Sequence, residues 1–379
     1  MALFADPTVP ISVTDPVNAA ILKVSEDRIQ GFLPDPLGQI ARLADVPVET
    51  AIARIQAMLR AGTIRRVRQT LLATNLAQGS LVAWQVPPER LTAAFDTLFH
   101  DDPFSGHVVI RSTDGETTGS GFRLWTTLKV PQGYSLEKHA AFWAARIGAE
   151  RFKLMPAKRL FVLGVGHLRR RELQIGSRAD IRADGVDTEI VALSPLDWQV
   201  LVPLKREFAP EELTRDLWDA RADEAGVDRD TFLSVALSLS QRGVIGRFST
   251  FLEHVKPNEQ GERVTRYNAL FHWRVPVGRE LDAGGEVGRF HCMTHAYWRD
   301  GGPEFANVNV MGVAHGLDKD LILANKAAID VHLAETGIPV DYTNVFWGGR
   351  SEIKPSEIAP DAYLAWCESV GVDPRSMRT

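Results

Sequence analysis

Leu81-Val82-Ala83-Trp84-Gln85-Val86-Pro87 returns later in the chain as Leu270-Phe271-His272-Trp273-Arg274-Val275-Pro276. Two more pairs flank this one. Upstream, Gly62-Thr63-Ile64-Arg65-Arg66 is matched by Gly243-Val244-Ile245-Gly246-Arg247; downstream, Gly106-His107-Val108-Val109-Ile110-Arg111 is matched by Thr294-His295-Ala296-Tyr297-Trp298-Arg299. Three matches in one order, at nearly one offset, make the chain a module repeated once. Two copies are too few for a solenoid, and most homo-oligomers are twofold dimers, so a fused pseudo-dimer is expected.

Working outward from these pairs, each copy shows the same order of elements. The first opens with a helical stretch from about Pro16 to Val24. A second helix runs from Pro36 to Ala44, with Leu37, Ile40, Ala41 and Leu43 at helical spacing. A break follows at Asp45-Val46-Pro47-Val48. The stretch from Glu49 to Ala61 then carries Ala51, Ile52, Ile55, Met58 and Leu59 on one helical face, and Gly62 stops it as a C-cap. Short helices around a tight turn make a helix-turn-helix, with strands at Ile64–Arg68 and Thr70–Ala73 as its wing. Next come a strand at Leu81–Val86, a helix at Pro88–Phe99, strands at His107–Arg111 and Phe122–Val130, a helix at Ser135–Ile147 and a strand at Arg159–Leu163. That β-α-β-β-α-β order is ferredoxin-like.

Copy two holds helices between Leu201 and Gly243, then strands at Asn268–Val275, Arg289–Tyr297 and Val308–Val313. A long helix at Asp318–Thr336 and a last strand at Asp341–Trp347 follow. Its first ferredoxin-type helix, between Val277 and Gly288, reads as stunted because the segment is short and Gly-rich. The fold class is therefore α+β: a tandem duplication of a winged helix-turn-helix plus a ferredoxin-like βαββαβ domain, as an intramolecular pseudo-dimer. The expected division is 1–75 (helix-turn-helix), 76–168 (ferredoxin-like), 169–194 (linker), 195–255 (second helix-turn-helix) and 256–379 (second ferredoxin-like domain).

The formal net charge of -5 argues against a protein dedicated to nucleic acid, which wants a basic surface. Two cysteines, Cys292 and Cys367, form no CxxC pair and no zinc-type cluster, which fits a reducing compartment. The first residues, with Asp6 and Asp15, lack the basic and apolar regions of a signal peptide. No apolar run approaches the ~20 residues of a membrane helix. A cytoplasmic protein without a membrane partner is the expectation.

No P-loop, dinucleotide fingerprint, Gly-x-Ser-x-Gly elbow or His-Glu-x-x-His is present. The densest constellation is His291-Cys292-Met293-Thr294-His295-Ala296-Tyr297-Trp298-Arg299. On a strand, His295, Tyr297 and Arg299 project from one face, while Cys292, Thr294, Ala296 and Trp298 suit packing on the other. A lone His or Tyr in a strand is ordinarily a packed or surface residue; three polar groups in one row need partners. The next strand ends in Gly312-Val313-Ala314-His315-Gly316, and antiparallel pairing brings His315 toward that row. Such a set suits holding a carboxylate and moving a proton. Two basic runs, Arg65-Arg66-Val67-Arg68 in the wing and Arg169-Arg170-Arg171 in the linker, are either anion sites or solvated charge.

A DNA reader would use Glu49, Arg54, Gln56 and Arg60 on the recognition helix of copy one. Copy two offers Asp228, Arg229, Asp230 and Gln241, a more acidic surface. Two mismatched helices suit a palindromic operator poorly, so DNA is disfavoured as a partner.

The helix-turn-helix plus ferredoxin-like module resembles the Lrp/AsnC architecture. Within it, Gly62-Thr63-Ile64-Arg65-Arg66, the Val82-Ala83-Trp84-Gln85-Val86-Pro87 strand, and His295-x-Tyr297-x-Arg299 followed by Met311-Gly312-Val313-Ala314-His315-Gly316 resemble the siroheme decarboxylases, in their fused two-subunit form. The resemblance spans both halves. It departs in copy one, where Val109 stands in place of the tyrosine and the later His-Gly is missing, and in copy two, where Gly246 replaces the first wing arginine. One competent site per chain is expected.

The resemblance implies removal of carbon dioxide from siroheme acetates, towards 12,18-didecarboxysiroheme, in haem or heme d1 biosynthesis. No cofactor is required, since the pyrrole serves as electron sink; the iron-containing tetrapyrrole is the substrate. His295 and Tyr297 would be the catalytic acids. Arg299, His315, His107, Arg111, Arg65 and Arg66 would bind the substrate. The protein has no metal of its own, but His295 or His315 is open to ligating the tetrapyrrole iron. Other tetrapyrrole-pathway enzymes and a second copy of the fused chain fit as partners. Two readings compete: a tetrapyrrole-responsive Lrp-type regulator, and a catalytically inactive tetrapyrrole-binding protein.

Overall fold

The computed structural model describes residues 9–72, 75–163, 173–187, 190–253 and 265–379. Asp6, the Ala73 end of the expected wing, the Arg169-Arg170-Arg171 run and parts of the expected linker lie outside the described residues. In chain order the elements begin with α1 (Pro16–Ser25), β1 (Ile29–Gln30), α2 (Pro36–Ala44), α3 (Val48–Arg60) and β2 (Ile64–Leu71). There follow β3 (Ala77–Gln85), α4 (Leu91–Asp101), β4 (Ser105–Ser112), β5 (Leu124–Pro131), α5 (Leu136–Ile147), β6 (Arg151–Leu163) and β7 (Val186–Asp187). Next are α6 (Pro195–Leu204), α7 (Asp219–Ala225), α8 (Arg229–Gln241) and β8 (Ile245–Leu252). The chain closes with β9 (Tyr267–Arg274), α9 (Glu280–Gly288), β10 (Met293–Arg299), β11 (Val310–Gly316), α10 (Lys319–Glu335), β12 (Tyr342–Ile353) and α11 (Pro360–Val370). The described residues divide into two compact units: 9–72, 191–253 and 265–266 make one, and 75–163, 173–187, 190 and 267–379 the other.

In the first unit the helix ends follow local chemistry. Asp15 accepts hydrogen bonds from the Val17 and Asn18 amides ahead of Pro16, and Asp35 caps α2 ahead of Pro36. Asp45 ends α2 in the left-handed region at φ 55, and Gly62 follows α3 at φ 75, where a β-carbon is disfavoured. The expected wing differs. No residue between Arg68 and Thr70 interrupts the strand, so β2 is continuous, and its partner is β8 of the second copy rather than its own hairpin. With β1 on the far side of β8, the sheet order is β1-β8-β2.

The α3 side chains that a DNA reader would need are engaged within this unit. Glu49 pairs with Arg215 at 2.6 Å, Arg54 with Asp15 at 3.0 Å and Arg60 with Glu211 at 3.2 Å, while Gln56 donates to the Leu213 carbonyl at 3.1 Å.

The second unit contains a nine-stranded sheet of order β10-β11-β9-β12-β4-β5-β3-β6-β7. Because β10 also pairs with β6, its first eight strands close into a barrel, with β7 attached outside. Closure rests on two strands much longer than the sequence reading expected. β6 pairs with β3 over Arg151–Pro156 and then with β10 over Ala157–Leu163. β12 pairs with β9 over Tyr342–Trp347 and then with β4 as far as Ile353. Each thus begins in its own copy and ends in the other, leaving no free edge in either four-strand half. The expected short β10 start at Arg289 moves to Met293, because α9 is a full helix of nine residues and occupies the Gly-rich segment.

Helices cover the barrel's outer face in two cores. Trp84, Phe95, Leu98 and Trp143 anchor one; Phe271, Trp273, Val287 and Ile329 anchor the other. The C-terminal α11, which the sequence reading did not anticipate, adds Tyr363, Trp366 and Cys367 to the first of these. Neither Cys292 nor Cys367 is in a disulfide among the described residues. Among the described residues no helix is long and apolar enough to cross a membrane.

Candidate active site

Strand alternation sends one set of side chains outward to the helices and the other into the barrel. Ala83, Val109, Trp125, Met155, Leu270, Met311 and Phe346, from seven different strands, meet there in one buried cluster. Polar groups share this inner face. Tyr297 is directly paired with Met311 in the ladder, so it faces inward with it. Arg111 and His107 sit two residues either side of Val109 on β4, and His315 lies four residues beyond Met311 on β11.

The expected row on β10 is present as a stack. The His295 and Tyr297 rings lie 6.0 Å apart and 18° from parallel, and the Arg299 guanidinium sits 4.4 Å from the Tyr297 ring centre. Arg299 also donates to the Met155 carbonyl. Burial raises the Tyr297 phenol above its ordinary value, with Arg299 pulling the other way. The phenol therefore keeps its proton at neutral pH and is a donor. Burial lowers the Arg299 guanidinium, with Tyr297 opposing.

A hydrogen-bonded chain leads away from the row. His295 Nδ1 is 3.1 Å from Thr294 Oγ1, and that oxygen is 3.2 Å from His315 Nδ1. His315 Nε2 meets Asn268 Nδ2 at 3.0 Å, and Arg111 donates to Asn268 Oδ1 at 3.1 Å and to the Phe346 carbonyl at 3.3 Å. Arg111 is 5% exposed, and burial pulls its guanidinium down to about 10. Neither Arg111 nor Arg299 has an acidic partner among the described residues. Gly348 makes room for the chain: a β-carbon there would come within 3.2 Å of the Asn268 β-carbon. His107 stands apart from the chain, with its Nε2 2.8 Å from Ser351 Oγ. Arg65 and Arg66 are residues of the first unit, where Arg66 pairs with Glu207 at 3.0 Å. Among the described residues no cluster of three or more His, Cys, Asp or Glu could hold a metal ion.

No family model and no curated protein sequence matches the chain. Solved structures do. The crystal structure of the siroheme decarboxylase NirDL aligns at TM-score 0.65 and 17% identity, over 94% of this chain and 99% of that one. NirDL in co-complex with an iron-uroporphyrin III analogue aligns at TM-score 0.64 and 16% identity, over 93% and 99%. This chain has the fold of siroheme decarboxylase NirDL. Both of these structures are of the family that the residue motifs resemble.

Within the NirDL fold, three inner residues escaped the sequence reading. Strict alternation puts Thr294 on the packing face. A bulge between Met293 and His295 breaks that alternation and lets Thr294 bond His295 and His315. Asn268 lies two residues before Leu270, so the inner-face period could have flagged it once the barrel was known.

His272 lay inside the first repeat pair, where copy one has Ala83. It is 1% exposed, 4.9 Å from the Phe346 ring and 6.1 Å from the Trp125 ring, and its Nε2 has no hydrogen-bond partner among the described residues. Burial, and secondarily Arg111, lower it to about 3 from an ordinary 6.5. The unfolded chain therefore takes up this proton first. Stability is lost as pH falls from about 6.5 toward about 3, on the order of 5 kcal/mol from this residue. Urea denaturation across that range should show a shallower acid limb in His272→Phe; an unchanged limb would contradict the assignment.

Proposed function

We propose that this chain is a siroheme decarboxylase-type carbon–carbon lyase that removes carbon dioxide from acetate side chains of an iron-bound tetrapyrrole, towards 12,18-didecarboxysiroheme, without an organic cofactor. The observation that carries the reading is the pair of guanidiniums, buried Arg111 and half-buried Arg299, facing into one barrel with no acidic partner among the described residues. Burying an unpaired charge costs several kcal/mol. A substrate carboxylate would offset that cost and be gripped in return, bidentately where the geometry allows. NirDL's co-complex with an iron-uroporphyrin III analogue supports a carboxylate-rich macrocycle as the substrate class.

In the proposed reaction, the bond between an acetate methylene and its carboxylate carbon breaks. Carbon dioxide leaves, the pyrrole takes up the electron pair, and one proton replaces the lost carboxylate to leave a methyl group. Tyr297 and His295 deliver that proton; Arg299 and Arg111 hold carboxylates; His315 orients the site, and His107 contributes from β4. Arg65 and Arg66 enter only as further carboxylate partners. His295 or His315 is the proposed ligand if the iron is held by protein. Val109 in place of a second tyrosine makes one site per barrel the simpler arrangement.

The architecture supports descent from a duplicated Lrp/AsnC-type module. Within the barrel, each half follows the ferredoxin-like strand order, β4-β5-β3-β6 and β10-β11-β9-β12. The first unit's helices and strands would be the two winged helix-turn-helix modules. The ion pairs on α3 weigh against its use on DNA.

Titration with siroheme and with its fully esterified form tests the carboxylate grip. Each lost charge-assisted hydrogen bond is worth about 1.5–3 kcal/mol, so the ester should bind at least ~100-fold more weakly. Equal affinity for both would contradict the proposal.

A further inference from the structure

Chemistry fixes the direction of the inner hydrogen-bond chain from both ends. Arg111 can only donate, so Asn268 presents its oxygen to the guanidinium at 3.1 Å. The Asn268 amide nitrogen must then donate to His315 Nε2 at 3.0 Å, which makes Nε2 the lone-pair nitrogen. At the other end, the Val313 carbonyl can only accept, so the Thr294 hydroxyl donates to it at 3.0 Å. With its single proton placed there, Thr294 Oγ1 accepts from both imidazoles, His315 Nδ1 at 3.2 Å and His295 Nδ1 at 3.1 Å. The two ends independently require the same His315 tautomer. They also place the His295 proton on Nδ1.

We propose that Asn268 and Thr294 are positioning residues that fix the tautomers of His315 and His295, so that each neutral ring carries its proton on Nδ1 and its lone pair on Nε2. This inference rests on reading the barrel as a site of proton-coupled decarboxylation. His315 cannot take a proton at Nε2 without setting an N–H against the Asn268 amide. The amide cannot turn over without setting its own N–H groups against Arg111.

The test is long-range 1H–15N correlation of the full-length protein labelled with 15N-histidine, without substrate, with resonances assigned from His295→Gln and His315→Gln. Both rings are expected to carry the neutral-state proton on Nδ1. Asn268→Asp keeps the shape and still accepts from Arg111, but it cannot donate to His315. In that variant His315 should gain a second proton at Nε2, toward the new carboxylate, while keeping its Nδ1–H on Thr294. Thr294→Val, also isosteric, should abolish the Nδ1 preference of His295. A wild-type His315 protonated on Nε2 would overturn the inference, as would an Asn268→Asp or Thr294→Val spectrum identical to wild type. Because no substrate is present, a protein that shows the expected tautomers yet leaves siroheme unchanged would sink the decarboxylase reading and not this one.

Discussion

Tyr297→Phe is expected to lower decarboxylation by ~10²–10⁴-fold, the usual contribution of a positioned proton donor. Tetrapyrrole affinity should stay within about threefold, since the ring and its stacking are kept. The phenol is suited to the task because burial holds it above its ordinary value, so it enters the reaction protonated. Its ring is fixed between His295 and the Arg299 guanidinium. Single-turnover rates alongside an absorption titration separate the two quantities. Equal losses in rate and affinity would make Tyr297 a binding residue and contradict the acid role.

Arg299→Met is expected to do the reverse. Affinity for the carboxylate-bearing macrocycle should fall by ~10–100-fold, the equivalent of a charge-assisted hydrogen bond. The unliganded protein should be at least as stable as wild type. The substitution loses the bond to the Met155 carbonyl and the stack on Tyr297. It also removes a half-buried, partly desolvated cation with no anionic partner among the described residues, and apolar replacements of desolvated charges are often neutral or stabilising. Urea denaturation of the unliganded variant reports the second quantity. A variant destabilised by ~3 kcal/mol or more with unchanged affinity would make Arg299 a structural residue.

Much of the fold was legible because its signals are local. Asp15-Pro16, Asp35-Pro36, Asp45 and Gly62 bracket their helices by capping and left-handed turns, which need only neighbouring residues. The repeat pairs gave the internal symmetry. What the sequence did not disclose is long-range. That β2 would pair with β8, and that β6 and β12 would each pass from one copy's sheet to the other's, depends on partners far away in the chain. A ladder partner leaves no mark in a strand's own pattern.

The site divides in the same way. His295, Tyr297 and Arg299 were readable as a row because a strand has period two. Thr294 was not, because a bulge shifts that period by one residue and no local residue announces it. Asn268 and His272 acquire meaning only once β9 is known to line a barrel rather than an open sheet.

The most direct test is anaerobic incubation of the purified protein with siroheme, followed by mass spectrometry of the tetrapyrrole. The account predicts loss of one or two carbon dioxide units, abolished in His295→Ala. An unchanged mass with a shifted absorption spectrum would show binding without chemistry and contradict it.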